Sequence, residues 1–220
     1  MKQNSYTSIQ NSNNGISRII LNDPRTYNSL SLGMLKSAIS AFKVLDKDER
    51  TRVIIIEGSG KGFSAGHNLK EVRSLKGKSN YNKLFDLCSE LMMVITNSNK
   101  PIIAKVHGAA FAAGCQLVAT CDLALSTTDA KFCTPGVNIG LFCSTPMVAL
   151  SRNVNRKKAM KMLLTGDPVS AQHAKEIGLI NDHFDDSTLE EEVLKLAENI
   201  ASKSKKVVKI GKKAFYKQLE

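Results

Sequence analysis

Four short aliphatic runs, three of them rich in β-branched residues and bordered by glycine or proline, constrain this 220-residue chain more than any other feature. Ile16–Leu21 reads as a strand closed by Asn22-Asp23-Pro24, and Val53–Glu57 as a buried strand bounded by Gly58, Gly60 and Gly62. Pro101–Val106 is a third, followed by Gly108, and Leu123–Ser126 a fourth. Helical spacing lies between them. Leu32, Leu35, Ile39, Phe42 and Leu45 recur at threes and fours behind Ser31, a good N-cap, and Leu84, Leu87, Leu91 and Ile95 mark a second helix. Alternation of this kind makes an α/β domain. From about Phe142 the pattern turns helical. Ser170 caps a short helix that stops at Gly178, Leu189, Val193, Leu196 and Ile200 mark another, and a basic helix begins near Val207. The expected organisation is a polar tail at 1–14, a core at 15–145 and a helical C-terminal region at 146–220.

With 42% hydrophobic and 23% charged residues the chain can bury one substantial core. No apolar run approaches the ~20 residues that span a bilayer. The Asn-, Ser- and Gln-rich start has neither the apolar stretch of a secretory signal nor the Arg-rich pattern of a transit peptide. A cytoplasmic protein is therefore expected, with the mitochondrial matrix as the alternative. Cys88, Cys115, Cys121, Cys133 and Cys143 form no CxxC pair and are expected as reduced core thiols. They share no ligand-type spacing with His67, His107, His173 or His183, so no metal site is expected. The net charge of +11 favours a polyanionic partner, but much of it lies in Lys203, Lys205, Lys206, Lys209, Lys212, Lys213 and Lys217. A solvated helix face explains that cluster as well as a binding patch does. No aromatic stacking platform accompanies it, which argues against nucleic acid.

Two loops made of small residues follow strands and precede helices: Gly62-Phe63-Ser64-Ala65-Gly66-His67-Asn68-Leu69 and Gly108-Ala109-Ala110-Phe111-Ala112-Ala113-Gly114-Cys115-Gln116. Small side chains let a ligand reach the main chain, and a helix's opening turn offers free N–H groups. Such a pair can hold an oxyanion.

In combination these loops resemble the two signatures of the enoyl-CoA hydratase/isomerase, or crotonase, family. Asn22–Leu30 is similar to that family's opening motif, and Thr165-Gly166-Asp167 with Ala171–Ile180 to its helical hallmark. The resemblance implies a spiral of ββα units ahead of the helical portion, assembling as trimers or hexamers. It implies an acyl-CoA thioester as substrate and no separate cofactor. By position, the oxyanion donors would be the N–H groups of His67 and Ala113. Ala65, Gly66, Leu69 and Lys70 would contact the coenzyme A thioester, and Arg25 its phosphates. Relatives continue past the position of Glu220 with further helices, so the chain reads as truncated, with an apolar surface exposed where those helices pack.

The departures bear on chemistry. Hydratases of the family carry a Glu at each of two positions, held here by Gln116 and Gly136. A carboxamide is neither a general acid nor a general base at neutral pH and glycine has no side chain, so plain hydratase activity is not expected. Ser144 stands where some relatives use an Asp. Asn138 and Cys143 are further polar candidates. Some decarboxylating relatives carry His at position 67, but the reading in which only its N–H takes part is preferred. A non-catalytic acyl-CoA binder, or a regulator of fatty-acid metabolism, is the alternative to an enzyme.

Overall fold

The computed structural model describes residues 6–11 and 14–219. Strands β1 (Thr7–Asn11) and β2 (Ile16–Leu21) lead through a 3₁₀ turn at Pro24–Thr26 to α1 (Leu32–Lys47). Next, β3 (Val53–Gly58) leads to α2 (Leu69–Ser74) and α3 (Lys78–Thr96), and β4 (Ile102–Val106) with β5 (Ala109–Phe111) to α4 (Ala113–Thr120). Strands β6 (Leu123–Thr127) and β7 (Lys131–Cys133) pass through a 3₁₀ turn at Pro135–Ile139 to α5 (Ser144–Asn153) and α6 (Arg156–Thr165). The remaining elements are β8 (Val169–Ser170), α7 (Ala171–Glu176), β9 (Asp182–Phe184), α8 (Asp186–Ala201) and α9 (Lys205–Gln218).

The large sheet runs β1-β2-β3-β4-β6-β9, parallel throughout except for antiparallel β1. Alternate residues of its central strands are buried on opposite faces. Ile54, Ile56, Ile102 and Ala104 join the core made with α1, α3 and α4. Val53, Ile55 and Ile103 join a second core with Leu189, Val193, Ala197 and Ala201 of α8. Burial on both faces is why these strands read as unbroken aliphatic runs.

A small sheet, β5-β7-β8, lies beside the large one. The chain climbs as a spiral, in which β4 and β6 each extend the large sheet while the β5 or β7 that follows extends the small one. Ser64, in a lone parallel bridge to Ala110, holds the equivalent place one turn earlier. The two small-residue loops are therefore successive turns of one repeat, and this is what brings them together.

Three expectations change. The segment 1–14 is not merely a tail, because Thr7–Asn11 pairs with β2 in register Thr7↔Leu21; residues 1–5 and 12–13 lie outside the described residues. The region 146–220 is not wholly helical, since β9 adds the last parallel strand of the large sheet. The late lysines do not all face solvent, because Lys212 turns inward onto Asp122. All five cysteines are buried and unpaired. Among the described residues no helix is long and apolar enough to cross a membrane.

Candidate active site: two abutting turns

The first loop is zipped to the second by main-chain bonds. Phe63 N donates to His107 O (2.9 Å), Ser64 N to Ala109 O (3.0 Å) and Phe111 N to Ser64 O (2.9 Å). Contact this close dictates the small residues. A Cβ on Gly114 would stand 2.2 Å from Ser64 O, and one on Gly66 would stand 2.8 Å from Phe111 O and 2.9 Å from Ala113 N. Gly66 also needs its φ of +83°. The small side chains thus serve the loops' approach to each other, whatever further access they give a ligand.

Ala113 opens α4, an entirely buried helix whose N-terminus has no side-chain cap. Among the described residues, neither the Ala113 N–H nor the His67 N–H has a hydrogen-bond partner. Gly66 lies between them, next to one in sequence and packed against the other. Ala113 itself begins a regular helix; the strain falls on Ala112, at φ 49° and ψ −119°. Position 113 therefore accepts a Cβ, and the demanding position is one residue earlier.

The His67 ring leaves the loop toward Leu30 and Phe85. Its Nδ1 is 3.3 Å from Leu30 O, and it meets the Phe85 ring edge-on at 5.5 Å. Burial lowers the imidazole pKa from the ordinary 6.5, with the Leu30 carbonyl and the Glu71 charge pulling the other way. The neutral ring then donates from Nδ1 to Leu30, leaving Nε2 buried without a partner.

Ala65 and Gly66 lie in the same turn, Ala65 exposed and with its N–H bonded to Tyr27 O (2.9 Å). Leu69 and Lys70, both exposed, open α2, where Asn68 Oδ1 accepts from the Lys70 and Glu71 amides. Arg25 is exposed in the 3₁₀ turn that precedes Tyr27. Gln116 is buried in α4 with Oε1 facing Cys88 Sγ of α3 at 3.8 Å. Gly136 is buried, and a Cβ there would stand 2.6 Å from Leu141 O and 2.8 Å from Cys143 Sγ. Cys143 is therefore packed onto Gly136, whereas Ser144 is exposed on α5 and Asn138 leans toward Gly166.

The model of the family described as enoyl-CoA hydratase/isomerase matches residues 11–220. The chain belongs to the enoyl-CoA hydratase/isomerase family. One relative, the mitochondrial enoyl-CoA hydratase domain-containing protein 3 of Rattus norvegicus, is 51% identical over 205 residues, covering 93% of this chain and 68% of its own length. The crystal structure of an enoyl-CoA hydratase from Mycobacterium smegmatis superposes with a TM-score of 0.96 at 46% identity, over 98% of this chain and 84% of that one. Human enoyl-CoA hydratase domain-containing protein 3 gives 0.94 at 48% identity, over 97% of this chain and 84% of that one. The mixed α/β architecture of mostly parallel strands with a helical C-terminal portion is that of these family structures.

Within this family fold, Tyr27 and Asn28 both adopt left-handed backbone angles, at φ 52° and 51°. Sequence reasoning missed that role; the signal for it is an Asn, which tolerates this region, just past a proline turn.

Proposed function

We propose that this chain binds an acyl-CoA thioester and stabilises its enolate with the N–H groups of His67 and Ala113. The observation that carries the reading is that, among the described residues, these two amides lack partners in loops packed as tightly as Gly66 on Ala113 N, at 2.9 Å for a Cβ built there. Donors fixed before the reaction are worth about 3–4 kcal/mol each to a developing oxyanion. Ala65, Gly66, Leu69, Lys70 and Arg25 border the same turn and form the proposed coenzyme A contact.

The reaction we assign uses the hole without a pair of carboxylates. Gln116 can orient a group by hydrogen bonding but cannot transfer its proton. Gly136 has no side chain, and its packing against Leu141 and Cys143 leaves no room for one. Isomerisation, lysis or decarboxylation of a thioester through an enolate suits such a site better than hydration. The same packing favours a second reading, a binder that converts nothing.

Mass-spectrometric product analysis against enoyl, malonyl-type and hydroxyacyl thioesters separates the two. Product from any of them removes the second reading. Saturable binding without product removes the first. Full turnover in Ala113→Leu would overturn the assignment of the hole. Relatives named as mitochondrial favour the matrix over the cytoplasm for this chain too, and trimeric assembly, inferred from the family resemblance, is read from a gel-filtration mass.

A further inference from the structure

The motif Asn22–Leu30 has so far carried only a resemblance. In the structure its second half runs alongside the first turn of the site. Ala65 N donates to Tyr27 O (2.9 Å), Ser64 Oγ to Asn28 O (2.9 Å) and Leu30 N to Gly66 O (2.7 Å), while Leu30 O faces the His67 ring. Asn28 is the centre of this arrangement. Its side chain is wholly buried, and Nδ2 donates to Ser59 O (2.8 Å), Gly62 O (2.9 Å) and Phe63 O (3.2 Å). Its Oδ1 accepts from Asp23 N at 3.0 Å. Three carbonyls on one side and an N–H on the other fix which end is the amide nitrogen. A Cβ on Gly58, the last residue of β3, would stand 2.6 Å from Phe63 O, 2.7 Å from Gly62 O and 2.8 Å from that nitrogen, so this glycine is required where the side chain and the carbonyls it gathers meet the strand end.

We infer that Asn28 is the positioning residue of the proposed hole: by gathering the carbonyls of Ser59, Gly62 and Phe63 it sets where the His67 N–H points. The inference rests on the function proposed above. Two demands meet at this position. The backbone must be left-handed, and the side chain must donate to carbonyls that face inward, away from water. Glycine meets the first demand only. Aspartate tolerates the backbone angle but puts acceptors against three carbonyl oxygens. Asparagine meets both.

The test uses the 220-residue chain and its Asn28→Gly and Asn28→Asp variants. Titration calorimetry with a non-hydrolysable acyl-CoA thioether ketone and with free coenzyme A reads how much the acyl carbonyl adds to affinity. Wild type is expected to prefer the carbonyl ligand, and both variants to lose about tenfold or more of that preference while keeping affinity for free coenzyme A. Asn28→Gly retaining the whole preference would overturn the inference, because backbone shape alone would then suffice. Wild type without any preference would overturn the proposed function and this inference with it. Amide exchange supplies a second readout where a variant is unstable: exchange should rise in 59–67 ahead of β3 and β4. A uniform rise across the sheet would make Asn28 merely structural and would also overturn the inference.

Discussion

Ala112 carries a methyl group on a backbone, φ 49° and ψ −119°, that glycine adopts freely and alanine resists. Its conformation is imposed from both sides, by its own N–H on Cys133 O (2.8 Å) and by its carbonyl accepting from Gln116 N (3.0 Å). Ala112→Gly should therefore stabilise the protein by about 1 kcal/mol, seen as a higher denaturant midpoint at unchanged slope. Gly114→Ala tests the opposite case. The added Cβ meets Ser64 O, a backbone atom on another turn of the spiral, so a loss of roughly 2 kcal/mol or more is expected in the same measurement. His67 gives the site a pH dependence whose sign follows from its burial. The unfolded chain takes up a proton near 6.5, whereas the folded one resists until lower pH. Between those two values the unfolded state binds more protons, so stability falls as pH drops through and below 6.5. The denaturant midpoint should decline from neutral pH toward acid, and His67→Gln should flatten that part of the decline.

Helix α9 is the element whose attachment is least conventional. It buries no residue fully and leaves Val207, Ile210 and Phe215 exposed, as is Leu219 just past its end. It is held by polar contacts: Lys212 Nζ donates to Asp122 Oδ2 (2.6 Å), Lys100 O (2.9 Å) and Ile95 O (3.1 Å), and Tyr216 OH to Asp122 Oδ1 (2.8 Å). Asp122 in turn accepts from Ile102 N, at the start of β4 (2.7 Å). Lys212→Met keeps the apolar stem and removes the charge. Amide exchange within α9 should then quicken about tenfold, while β3 and β4 stay as they were; a rise spread evenly over the chain would contradict this account. The same helix shows what a sequence conceals. The helix itself was legible as a basic segment from about Val207, and β2, β3, β4 and β6 as short aliphatic runs, because burial on both faces of the sheet makes such runs. The inward turn of Lys212 was not, since its acceptors, one carboxylate and two carbonyls, lie 90, 112 and 117 residues away in sequence. Strand β1 escaped notice because four of its five residues are exposed and only pairing with β2 makes it a strand. For the site, the small-residue loops announced themselves, and so did a capped α7. That the loops' glycines answer to each other, and that Asn28 gathers the first loop, depends on contacts between segments that no local pattern encodes.

At the scale of the molecule, the question is whether the two cores on either side of the large sheet unfold as one unit. Cys88, Cys115, Cys121 and Cys143 belong to the core shared with α1, α3 and α4, and none is on the α8 side. Burial pushes the thiols of Cys88 and Cys115 up to about 12 and that of Cys133 to about 11, so the native protein offers a thiol reagent almost no thiolate. Labelling then reports opening of that face. The opposite face has its own fastening, since Glu190 of α8 pairs with Arg18 of β2 and Lys105 of β4, both of which also pair with Glu57 of β3. Glu190→Ala removes one carboxylate from this network but leaves Glu57 to both cations, so a loss of about 1 kcal/mol is expected, not the larger cost of stranding a buried charge. Parallel strands whose alternate residues feed both cores leave no plane along which one face can separate. All five thiols should therefore label faster by a common factor of about fivefold in Glu190→Ala, although none of them lies in the altered core. If α8 amides exchange faster while the labelling rate is unchanged, the two faces open independently.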